Sequence, residues 1–104
     1  VSSGKILDVI VDIRKESKTY GNYYSVILSS NNNKVLYIPK GFAHGYLSLK
    51  NDTIVNYFVD KIYNPDSQGY IHYKDKFLNI DWGISDHSNL IISKRDSKLS
   101  KFKW

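Results

Sequence analysis

Three observations predict an all-β chain folded as an antiparallel sandwich or barrel. Short runs of alternating β-branched and aromatic residues recur along the sequence, turn signals separate them, and no stretch carries the spacing of a long amphipathic helix. Nine tyrosines and only two prolines among 104 residues reinforce the preference for sheet. This length accommodates one domain, residues 1–104, around a single core.

The first strand is expected over residues 5–14, KILDVIVDIR. Leu7, Val9, Val11 and Ile13 fall on one face, and Ile6, Asp8, Ile10, Asp12 and Arg14 on the other. Two aspartates between isoleucines suit either of two places. The strand lies at a sheet margin with both carboxylates wet, or it lies inside and each carboxylate needs a partner. Residues 15–22 form a polar connection ending at the turn pair Tyr20-Gly21. Residues 23–29 give the second strand, and Asn31-Asn32-Asn33 a turn, because asparagine tolerates the left-handed region.

Residues 37–65 are the most distinctive stretch. Pro39 cannot donate to a ladder and belongs at a strand end or bulge, while Gly41 and Gly45 are expected to bend the backbone on either side of His44. A strand follows at 53–59, with Thr53, Val55, Tyr57 and Val59 on one face. Residues 64–69 are loop, 70–73 and 78–82 short strands, 85–89 loop, and 90–93 extended. A short helix or irregular tail ends the chain at 97–104.

Composition removes several functional classes. No cysteine is present, so disulfides and thiolate metal sites are excluded. No apolar run approaches a membrane span, and no signal-peptide pattern opens the sequence. The net charge of +5 raises polyanion binding, with Lys94, Arg95, Lys98, Lys101 and Lys103 clustered near the end. No nucleic-acid-binding motif accompanies that charge. A solvated basic tail or a site for a nucleoside diphosphate accounts for it instead. Valine at position 1 and the absence of methionine suggest a portion of a longer chain.

Pro39-x-Gly41-x-x-His44 resembles the second motif of the cupins, small antiparallel jelly-roll barrels. More specifically, VDIRKES at 11–17, IPKGFAHGY at 38–46, and IVNY at 54–57 followed by YNP at 63–65 resemble the dTDP-4-dehydrorhamnose 3,5-epimerases. The likeness runs in register from about Gly4 to Asp96. It implies a cupin-like β-barrel, complete or in part, acting on a dTDP-4-keto-6-deoxy sugar in the cytoplasm. It implies a homodimer, no cofactor, no metal, no membrane partner and no nucleic acid.

The resemblance also assigns roles residue by residue. Tyr57 matches the catalytic acid; a phenol returns a proton to carbon and stays neutral at physiological pH. Asp96, in ISKRD at 92–96, matches the aspartate that orients the catalytic histidine, a role familiar from triads. His44 matches a substrate-site residue, with Asp8 as its expected partner. Tyr63 matches an aromatic beside the nucleotide, Gln68 a glutamate that touches substrate, and Arg95 a lysine. Arginine keeps the charge and adds a bidentate grip. The family's base belongs to an upstream R-G-L-H-type segment, and none of His44, His72 and His87 matches it. A rival expectation is a binding domain that keeps the barrel without the chemistry.

Overall fold

The computed structural model describes residues 1–104. Its regular core is one antiparallel three-stranded sheet in the order β2-β1-β3. Strand β1 is Lys5–Asp12, β2 is Tyr23–Ser29 and β3 is Phe42–Ser48. Strand β2 occupies the expected run, and β1 ends at Asp12, two residues short of the expected 5–14. The sheet is open: β2 and β3 are both edges.

Strand β1 is central, not marginal, which decides between the two places open to its carboxylates in favour of the inside. Asp8 and Asp12 are only 4% and 2% exposed. They share their strand with Ile6, Val9, Ile10 and Val11, which form most of the buried apolar core. Each such side chain contributes about 1.5–3 kcal/mol when fully withdrawn from water. Leu28 of β2 and Leu78, from the segment that follows the sheet, complete it.

Register assigns the faces. Asp8 stands opposite Val26 on β2 and Tyr46 on β3, and Ile10 stands opposite Tyr24 and His44. Because paired residues share a face, Ile6, Asp8, Ile10 and Asp12 lie with Phe42, His44 and Tyr46. The opposite face takes Val9, Gly45 and Tyr23. There the later chain packs on: Trp82 lies 4.0 Å from where a Cβ on Gly45 would stand, and Asp81 N–H donates to the Tyr23 hydroxyl.

Strand β3 corrects the expected pair of glycine bends. Gly41 does take φ +85°, immediately before the strand. Gly45 instead lies within it, paired with Val9, with Trp82 4.0 Å from where a Cβ would stand. Asn33 takes φ 51°, the left-handed turn expected of the asparagine run.

The remaining expected strands do not form. Residues 53–59 carry the right alternation, yet only Ile54 pairs, in an isolated bridge to Ser3. Residues 70–73, 78–82 and 90–93 likewise join no ladder. Side chains organise that region: Asp75 accepts the N–H groups of Phe77 and Leu78 and the indole N–H of Trp104, while Trp82 donates to the Tyr73 carbonyl. Helical structure is confined to a 3₁₀ turn at Pro65–Ser67 and a four-residue helix, α1, at Lys94–Ser97.

Candidate functional site

Asp8 and His44 are the clearest pair that the fold creates from distant sequence. Two antiparallel neighbours place them diagonally on one face, within reach of a long side chain. His44 Nε2 lies 2.7 Å from Asp8 Oδ1. An ionised carboxylate only accepts, so Nε2 donates, and Nδ1 makes no hydrogen bond to the protein. The ring is about a third exposed, while Asp8 is buried. Tyr46 lies beside it, with ring centroids 6.1 Å apart. One edge of the imidazole is therefore fixed, while the ring as a whole stays partly open to solvent.

A second carboxylate site, Asp12, anchors this geometry. It accepts from Arg14 Nε and Nη2 at 2.9 Å each, from the Ser17 hydroxyl at 2.6 Å and from the Thr19 hydroxyl at 2.5 Å. The Arg14 hydrogen bond, chiefly, and then those of Ser17 and Thr19 hold its carboxyl far below the usual range, although burial opposes them. Arg14 in turn stacks over the Phe42 ring at 4.8 Å, and Ile13 N–H donates to the Gly41 carbonyl. The start of β3 is thereby tied to the end of β1, two residues before His44. Nothing in the spacing of VDIRKES marks Asp12, Arg14 and Ser17 for this task.

The other expected site residues lie in the irregular half. Gln68 and Arg95 meet at a residue with no expected role, Tyr70. Its hydroxyl donates to Gln68 Oε1 at 2.7 Å, and its ring lies 4.9 Å beneath the Arg95 guanidinium carbon. Arg95 Nε donates to Asp96 Oδ1 at 3.1 Å, a bond that raises the guanidinium's already high pKa. Tyr63 is close enough to add to that shift, more weakly. The only hint of Tyr70 in the sequence was its place two residues beyond Gln68.

Tyr57 is not brought to His44 as a neighbouring strand residue; it stands 75% exposed on the unpaired 53–59 run. Asp96 lies near the start of α1, its N–H donating to the Ser93 hydroxyl, and its second carboxylate oxygen has no protein partner. No group of three or more His, Asp or Glu side chains is placed to hold a metal ion. No helix is long and apolar enough to cross a membrane.

Comparison with known proteins gives a consistent result. The family profile described as dTDP-4-dehydrorhamnose 3,5-epimerase matches residues 1–103. A dTDP-4-dehydrorhamnose 3,5-epimerase from Methanothermobacter thermautotrophicus is 44% identical over 96 residues, covering 92% of this chain and 52% of its own length. The solved rmlC epimerase of Mycobacterium tuberculosis superposes with a TM-score of 0.90 at 35% identity, over 96% of this chain and 50% of that one. The Legionella pneumophila dTDP-6-deoxy-D-glucose-3,5-epimerase, solved with dTDP-4-keto-L-rhamnose, gives 0.77 at 37% identity over 93% and 50%. The antiparallel, cupin-type fold read from the sequence matches these structures. The chain spans about half the length of the curated relatives it matches.

Proposed function

Because this chain belongs to the dTDP-4-dehydrorhamnose 3,5-epimerase family, we propose that it forms part of an epimerase acting on a dTDP-4-keto-6-deoxy sugar at C3, C5 or both. A ketone at C4 acidifies the adjacent C–H bonds. A base on one face removes a proton, an enolate forms, and an acid returns a proton to the other face. Tyr57 is the acid. Asp96 offers its unpartnered oxygen to the ring N–H of the base, a histidine outside these 104 residues. His44, locked by Asp8, presents Nδ1 to the sugar, and Gln68, Arg95 and Tyr63 bind the nucleotide end. The protein works in the cytoplasm as a homodimer, with residues 1–104 as one cupin-type unit.

The observation that carries this reading is the Asp8–His44 contact. It orients a half-open imidazole on the face that the cupin-type motif marks. A second reading, a sugar-nucleotide-binding domain without catalysis, is favoured by Gln68, where the family pattern has glutamate. Solvent deuterium separates the two. In the protein that carries this chain, Tyr57→Phe keeps the ring and removes the hydroxyl. Exchange at C3 or C5 should continue, while inversion falls by roughly 10²–10⁴-fold, the scale for a positioned acid. Inversion at the unaltered rate would make Tyr57 a packing residue. Binding of dTDP-sugar with no exchange in the unsubstituted protein would establish the second reading.

A further inference from the structure

Gln68 and Arg95 reach one place from two separate turns. Gln68 closes the 3₁₀ turn Pro65–Ser67, its N–H donating to the Pro65 carbonyl, and Asn64 caps the other end by accepting from Asp66 N–H. Arg95 sits in α1, which Ser93 caps in the same way. Tyr70 lies between them, its ring under the guanidinium and its hydroxyl on the carboxamide.

The hydrogen-bond inventory decides what such a place binds. The Tyr70 hydroxyl donates to one lone pair of Gln68 Oε1, while Gln68 Nε2 makes no hydrogen bond to the protein and keeps both its hydrogens free. Arg95 spends Nε–H on Asp96, while both terminal nitrogens make no hydrogen bond to the protein. What Gln68 and Arg95 keep on offer is mostly donors, on the carboxamide nitrogen and on the two terminal guanidinium nitrogens, beside a positive charge. That chemistry fits anionic oxygens with several lone pairs, as on a diphosphate. A glutamate at position 68 would present acceptors there instead.

We infer that Tyr70 is a positioning residue that sets the Gln68 carboxamide and the Arg95 guanidinium as a joint donor cradle for the diphosphate of a nucleoside diphosphate, an inference that rests on the function proposed above. It touches the cradle's two arms, not the reacting carbon. Its loss therefore weakens ligand capture and leaves the proton transfers alone.

The test is calorimetric titration of dTDP into the protein carrying this chain, with Tyr70→Phe, Gln68→Ala and the pair together. Tyr70→Phe keeps the ring under Arg95 and removes only the hydroxyl, so dTDP affinity should fall about 3–10-fold, the usual worth of one such hydrogen bond. Adding Gln68→Ala should then cost little more, because the carboxamide is already unset. In turnover, Tyr70→Phe should raise KM by a similar factor with kcat unchanged, a split that a general loosening of the fold would not produce. Unaltered dTDP affinity in Tyr70→Phe, losses that simply add in the double variant, or a fall in kcat would overturn the assignment. Failure of the unsubstituted protein to bind dTDP would instead remove the proposed function, and this inference with it.

Discussion

Replacing His44 by alanine tests the Asp8–His44 pair most directly. The substitution removes the one hydrogen-bond partner of a carboxylate that is 4% exposed, at a contact of 2.7 Å. A hydrogen bond to a charged group is worth about 1.5–3 kcal/mol. The imidazole is 36% exposed, so water screens the pair and readmission of solvent relieves part of the loss. Discounted for that screening, the cost comes to about 1–2 kcal/mol. For a chain of this size it corresponds to a fall in Tm of roughly 4–16 °C. The assay is thermal and urea unfolding of four proteins: unsubstituted, His44→Ala, Asp8→Asn, and the double variant. In the Asp8→Asn background an amide accepts a weaker bond and is cheaper to leave unpaired. There, His44→Ala should cost about 1 kcal/mol less, the coupling expected of a contact pair. His44→Gln, whose Nε2 reaches the place of the imidazole Nε2, should recover a large part of the loss. Equal cost of His44→Ala in both backgrounds would refute the reasoning, since the ring would then stabilise by packing alone.

Two further predictions concern the frame that holds this pair. Asp12, whose pKa is lowered, contributes stability that is fully present above the ordinary carboxylate range and is lost as pH falls through its folded value. Asp12→Asn should therefore lower Tm at pH 7 and flatten the decline in Tm between about pH 4 and pH 2, the region below the unperturbed carboxylate value; melting curves of equal steepness across that range would remove Asp12 from the acid-sensitive set. Gly41→Ala forces a side chain into φ +85° and against the Arg14 stem, at a cost of roughly 1–2 kcal/mol for the left-handed backbone. Gly45→Ala meets only Trp82 at 4.0 Å and should change stability by less than about 0.5 kcal/mol, as measured by urea unfolding.

Strands β1 and β2 were legible because period-2 alternation is a local property, and both runs found antiparallel partners. The same alternation misled at 53–59. A strand exists only where neighbouring backbone groups complete its ladder, and here Ile54 alone finds one, on Ser3. Phe58 consequently stands 99% exposed and Val59 72%, values that no isolated reading of their β propensity would suggest. Gly45 was misjudged for a related reason. Glycine suggests a bend, but Gly45 pairs with Val9 inside the strand, and a Cβ there would meet only Trp82 at 4.0 Å, so neither backbone nor space demands glycine. At the site, the Asp8–His44 pair was expected from a resemblance, but register is what delivers it. Tyr70 was invisible, since any one of nine tyrosines is, by composition, a packing residue.

The two aspartates of β1 show how a short motif exerts control at a distance. Both project from the same face of the central strand, four residues apart, and burial obliges each to find a partner. Asp12 finds its partners locally, in Arg14, Ser17 and Thr19, and the arginine it orders covers Phe42. With Phe42 opposite Asp12, the antiparallel register places His44 opposite Ile10 and hence diagonal to Asp8. A one-residue slip of β3 would turn His44 to the face occupied by Trp82 and leave Asp8 buried without a donor. The VDIR and GFAH segments are thus joined in one arrangement: the register that stands Phe42 beside Arg14 is the same register that brings His44 to Asp8.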